Sequence, residues 1–101
     1  MSGRTKLEKE VRRFMAHLAR RNRRPTASER HRFNRYLARL VKTYRETHKL
    51  TEKEFAKEIG GTVKWVQLME AEAYDITVLD IFWIAKFFNI EAVDLMKDGG
   101  L

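Results

Sequence analysis

The chain of 101 residues has no cysteine, one proline and five glycines. Without cysteine there is neither a disulfide nor a thiolate metal site. The three histidines, His17, His31 and His48, stand far apart and lack metal-ligand spacing, so no metal is expected. No nucleophile–base pair and no phosphate-cradling glycine loop is present, which argues against catalysis and against a cofactor. The longest apolar run, Ile81-Phe82-Trp83-Ile84-Ala85, falls far short of the ~20 residues that a membrane-spanning helix needs. The N-terminal residues are charged and carry no apolar segment of the signal-peptide kind. A cytoplasmic protein without a membrane partner is expected. No stretch alternates apolar and polar residues for long enough to make a strand, and there is no internal repeat.

What is present suits one modest, soluble domain: 44% hydrophobic and 35% charged residues. The net charge of +7 conceals an uneven distribution. Residues 1–50 hold 16 Lys/Arg against 4 Asp/Glu, a net of +12, and residues 51–101 hold 5 against 10, a net of −5. Such asymmetry points to a polyanion-binding arm on a more acidic body. The plain alternative is a solvated basic helix that keeps the protein soluble.

Apolar spacing resolves the chain into helices. Leu7, Val11, Phe14 and Leu18 form one stripe of a first helix over roughly 5–21, with an Arg/Lys-rich opposite side. Asn22-Arg23-Arg24-Pro25 ends it, because proline disfavours helical geometry in the residue before it. Thr26-x-x-Glu29 is a capping box for a second helix to about 47, striped by Phe33, Tyr36, Leu37, Leu40, Val41 and Tyr44. Thr51-x-x-Glu54 opens a third to Ile59, and Gly60-Gly61 makes a turn that needs left-handed geometry. Thr62 caps a fourth helix to about Ala71, Thr77 a fifth to Phe88, and a sixth covers roughly 91–97. The fold class is all-α.

Two short helices joined by a glycine turn have the layout of a helix-turn-helix. Leu50-Thr51-x-x-Glu54-Phe55-Ala56-x-x-Ile59-Gly60, followed by Thr62-x-x-x-Val66-x-x-Met69-Glu70, resembles the Xre-type (Cro/phage-repressor-like) helix-turn-helix family. Ile81-x-x-Ile84-Ala85-x-x-Phe88-x-Ile90 and Ala92-x-x-Leu95 are similar to that family's last two helices, so the likeness covers roughly residues 36–97. It implies a lambda-repressor-like five-helix helix-turn-helix domain over 28–101, preceded by an additional basic amphipathic arm over 1–27. It implies a close helix crossing at Ala56 and an ion pair between Arg45 and Glu70. It also implies a sequence-specific transcriptional regulator that binds double-stranded DNA. In that reading the outward side of the helix at about 62–71 presents Val63, Lys64, Gln67 and Leu68 to base edges. Lys64 and Gln67 are suited to guanine or adenine, and Val63 and Leu68 only to a thymine methyl. Thr51, Lys53 and Thr62 position the phosphate backbone, and Arg20, Arg21, Arg23 and Arg24 add phosphate contacts. Arg30, Arg32, Arg35 and Arg39 continue the basic surface.

Several residues depart from the family pattern. Glu52 stands where a glutamine is often found, and Ala71, Glu72 and Asp75 follow the recognition helix where small polar, glycine or basic residues are usual. The fifth helix carries a second apolar set, Leu79, Phe82, Trp83 and Phe87, and Trp65 adds an aromatic on the flank of the fourth. Large apolar patches mark association sites. The set is expected to be covered by a second copy in a homodimer, by a foreign protein, or by the N-terminal helix through Leu7, Val11, Phe14 and Leu18. A helix-turn-helix scaffold given over to protein binding is therefore the alternative to DNA reading.

Overall fold

The computed structural model describes residues 2–21 and 24–101, with side chains from Lys6 onward. Six helices follow one another: α1 (Ser2–Arg21), α2 (Ala27–Thr47), α3 (Glu52–Ile59), α4 (Val63–Glu70), α5 (Val78–Phe87) and α6 (Ala92–Asp98). Among the described residues there is no strand. Asn22 and Arg23, which the sequence places in the break after the first helix, lie outside the described residues.

Threonine starts most of these helices. Thr26, Thr51, Thr62 and Thr77 are the N-caps of α2 to α5, and each hydroxyl accepts from the backbone N–H three residues on. Glu29, Glu54 and Asp80 return the bond to complete three capping boxes. Glu91, which precedes α6, makes no side-chain cap. The missing acceptor comes from another helix: Glu10 Oε1 of α1 accepts from the Ala92 N–H at 3.2 Å.

The helices also end alike. The N–H groups of Leu50, Gly61, Ala73, Ile90 and Leu101 each donate to the carbonyl five residues back, at 2.7 to 2.9 Å. Each of these closures needs a left-handed residue just before it. Glycine supplies it at Gly60 and Gly100, whereas Lys49, Glu72 and Asn89 adopt positive φ without glycine. Of these five stops, the one at Gly60 is the glycine turn that the sequence marks. The C-terminal ends accordingly fall one residue short of the expected Ala71 and Phe88, which become C-caps.

The molecule measures 38 × 38 × 20 Å, and its least extent is about two helix diameters. Between the layers lie Phe33, Leu37 and Val41 of α2, Phe55, Ala56 and Ile59 of α3, Val66 and Met69 of α4, and Ile81, Ile84 and Ala85 of α5. Ala92, Leu95 and Met96 of α6 close it below, with Leu101. Phe14 of α1 enters the same core and Leu18 packs against it. The other half of the α1 stripe does not follow: Leu7 and Val11 are exposed. The N-terminal half of α1 overhangs a groove of about 540 Å³ whose walls include Leu7, Phe82 and Ile90, so only Phe14 and Leu18 serve as cover.

Candidate functional site

The site is built on α3 and α4. α3 begins at Thr51, whose hydroxyl accepts from the Glu54 N–H at 3.1 Å. It ends at Gly60, held at φ +78° by the turn into α4. Ala56 is buried in the core, where a larger side chain would overpack. Beyond the turn the Thr62 hydroxyl accepts from the Trp65 N–H at 3.1 Å. Val66 and Met69 point into the core, which turns Val63, Lys64 and Gln67 outward; Leu68 is half-buried. Lys53 and Thr51 are exposed at the start of α3. The outward side of α4 therefore offers one ammonium, one amide and one exposed aliphatic side chain.

α2 holds this unit from behind. Arg45 Nε donates to Glu70 Oε2 at 2.8 Å and Nη2 to Oε1 at 2.9 Å, a two-pronged pair between α2 and the last residue of α4. A third bond, from Nη1 to the Leu50 carbonyl oxygen at 3.1 Å, ties in the turn before α3. The hydrogen bond to Glu70 raises the Arg45 pKa above its already high value. Glu52 is half-buried rather than projecting outward, and its charge is felt at the same guanidinium. The acids that follow α4 separate in role. Glu72 Oε1 accepts from Arg35 Nε at 3.2 Å, across to α2, whereas Asp75 stays exposed. The two glutamates that depart from the family pattern thus face arginines of α2, a relation no spacing rule in the sequence reveals.

Of the arm residues, Arg20 and Arg24 are exposed. Arg21 is engaged internally: its Nη2 meets Glu29 Oε2 at 2.6 Å and its Nη1 donates to the Leu101 main-chain oxygen at 2.7 Å. Only 17% of its side chain is exposed. His17 Nε2 lies 2.7 Å from the same oxygen. Arg13 pairs with Glu91 and approaches Asp94 at 3.9 Å. Arg23 lies outside the described residues.

The apolar set divides as well. Phe82 lies under Phe14 of α1, ring centroids 4.8 Å apart. Phe87 joins an aromatic cluster with Tyr44, Phe55 and Phe88 at 5.1 to 5.6 Å. Trp65 stacks on Trp83 at 5.9 Å, and Tyr74 meets Trp65 edge-on at 6.5 Å. Trp83 remains 38% exposed and Leu79 74%. These two are the outward part of the set. No group of three His, Cys, Asp or Glu among the described residues is placed to hold a metal ion. No helix among them is long and apolar enough to cross a membrane.

An eight-residue helix, a left-handed glycine turn and a second eight-residue helix with one polar side turned outward make up a helix-turn-helix. The chain is 34% identical over 55 residues to a protein of Methanocaldococcus jannaschii described as an uncharacterised HTH-type transcriptional regulator. The match spans 54% of this chain and 83% of that protein. The chain belongs to the HTH-type transcriptional regulators. No protein-family model matches it, and no solved structure does.

Proposed function

We propose that the protein is a sequence-specific, double-stranded-DNA-binding regulator of the Xre type, with α4 as its recognition helix. The domain is then a lambda-repressor-like five-helix unit formed by α2 to α6, with residues 1–27 as an added arm. The carrying observation is the outward side of α4. Lys64 and Gln67 are exposed one turn apart with no protein partner among the described residues, in the pattern that reads base edges in a major groove. Val63 beside them is suited to a thymine methyl. Of the three acids that would oppose a phosphate, Glu52 and Glu72 have arginine charge close by, whereas Asp75 is exposed. Exposed Thr51, Lys53 and Thr62 at the two helix starts supply backbone contacts, as N-termini favour anions. Arg20, Arg23 and Arg24 add phosphate affinity from the arm; Arg21 serves mainly to hold the arm down. The regulator acts as a homodimer through Leu79 and Trp83, the outward part of the second apolar set on α5.

Duplex selection from a random pool tests the reading. Wild type is expected to enrich a defined site, and Lys64→Ala/Gln67→Ala to lose that preference while keeping weak, salt-sensitive binding. Retention of the same preference by the double variant would show that α4 does not read the sequence. An absence of duplex binding at low salt would end the DNA reading and favour a scaffold that binds protein through Val63, Trp65 and Leu68.

A further inference from the structure

We infer that the outward face of α2 is a second DNA-binding surface, which takes the phosphodiester backbone through Arg32, Arg35 and Arg39. It rests on the DNA reading for the chemistry of its partner but not on α4 as the reader.

The three arginines recur at intervals of three and four residues, so they share one side of the helix over roughly 10 Å of its length. All three are exposed, and together they line one shallow groove of about 340 Å³ with Tyr36, Asp98 and the Gly99-Gly100 pair. Gly100 lies against Arg32: a Cβ there would meet Arg32 Nε at 3.4 Å, an ordinary contact distance. Arg32 and Arg39 have no acidic partner within ion-pair distance among the described residues. This contrasts with Arg13 and Arg21 of α1, which are engaged inside the molecule. Of the three, Arg35 is the exception, and its Nη2 also lies 3.0 Å from His31 Nε2. It holds Glu72, the left-handed residue in the loop directly after α4, and so joins this face to the recognition helix at that loop. A phosphate arriving there competes with the Glu72 carboxylate for the same guanidinium.

A nucleic acid backbone fits this face better than a lipid surface does. Membrane-surface helices pair their basic residues with apolar side chains that insert, and none of the exposed large apolar residues belongs to α2. Planar guanidiniums in a row suit phosphates, each of which an arginine can grip with two N–H groups.

The test follows duplex affinity against salt for the full chain. The duplexes are a random-sequence one and one selected by wild type; the proteins are wild type, Arg32→Ala/Arg39→Ala, Arg32→Lys/Arg39→Lys and Glu72→Gln. Each phosphate neutralised contributes about 0.9 to the log–log salt slope. The alanine pair is expected to lower that slope by about 2 on both duplexes and to keep the preference between them. The lysine pair should retain the wild-type slope, which separates lost charge from lost structure. Glu72→Gln removes the charge that competes with phosphate at Arg35 and should tighten binding and steepen the slope by about 1. An unchanged slope in a normally melting alanine pair would overturn the inference, and so would a Glu72→Gln variant that binds no better. Arginine-dependent binding to phosphatidylserine vesicles without any to duplexes would overturn it in favour of a membrane. If Lys64→Ala/Gln67→Ala abolishes preference while the α2 variants change nothing, this inference alone falls. If no duplex is bound at any salt, the DNA reading falls with it.

Discussion

Gly99 and Gly60 both end helices, and they do so for different physical reasons. Gly99 has φ −85°, open to any residue, but it is buried. A Cβ there would press on the Phe33 ring at 2.8 Å and on Tyr36 Cδ1 at 2.9 Å. Gly60 has the reverse problem, with φ +78° but only the Trp83 ring nearby, at 3.5 Å. Gly99→Ala should therefore cost about 1–3 kcal/mol by overpacking, and Gly60→Ala about 1–2 kcal/mol through its left-handed backbone. Thermal melting of the two variants checks both. A Gly99→Ala protein that melts like wild type would show that Phe33 and Tyr36 yield freely. The phenol of Tyr74 carries a pH effect at the same scale. Burial, and next the Asp80 carboxylate, hold its pKa above the usual 10.0. A raised folded pKa gives stability that is complete below the unfolded value and lost as pH rises through the folded one. Stability should fall as pH climbs above about 10, and less so in Tyr74→Phe. Tyr36, raised by burial and then by Asp98, retains part of the loss. Equal alkaline sensitivity in Tyr74→Phe and wild type would remove Tyr74 from the account.

Among the elements, α1 is the one whose place least follows from its own sequence. Its amphipathic stripe is evident, yet only Phe14 and Leu18 find the core, while Leu7 and Val11 face outward. The difference lies in what α1 meets. Its Arg13 and Glu10 are drawn to the start of α6, where Glu91 and the uncapped Ala92 N–H wait, and Arg21 and His17 converge on the end of the same segment at Leu101. Polar contacts at both ends of α6 thus fix the crossing, and Phe14 drops onto Phe82 between them. Phe14→Ala should cost about 3–5 kcal/mol and increase the exposure of Phe82. A melting series with a hydrophobic-dye assay measures both; a loss below about 1 kcal/mol would mean that α1 contributes little to the core. By contrast α2 to α5 were legible, because a threonine cap and an apolar stripe are local signals that need no partner. Their C-terminal stops fell within a residue of expectation, but the left-handed residues that close them at Lys49 and Glu72 were not legible, because neither side chain favours that geometry.

For the whole molecule the main question is what meets the bare end of α5. Much of the doubly apolar character of that helix is resolved within one chain: Phe82 goes under α1, and Phe87 joins Tyr44 and Phe55. Leu79 and Trp83 remain. Under the homodimer proposal, Leu79→Glu should weaken self-association by at least tenfold in equilibrium sedimentation, a change of about 1.4 kcal/mol, with the monomer fold unaltered. Wild type that sediments as a monomer at high concentration would refute the dimer. The uneven charge has its own consequence at this scale. The excess of +12 in residues 1–50 is partly offset by pairs with acids of the second half, such as Arg45–Glu70, Arg35–Glu72 and Arg13–Glu91, so the field outside the protein is set by what is left unpaired on α1 and α2.

The sequence by itself determined the helices, their threonine starts, the glycine turn and the apolar frame around Ala56, because each depends on residues a few positions apart. It also placed Lys64 and Gln67 on the side of α4 opposite Val66 and Met69, as helical periodicity requires. Only the tertiary structure decided which charges are spent and which apolar residues are covered. Glu72 and Glu29 are reached by arginines 37 and 8 residues away, and Ala92 is capped from 82 residues away; the Arg45–Glu70 pair was legible only through the family resemblance. Those partners meet only once the two layers have packed, and no local pattern in the chain encodes their distance.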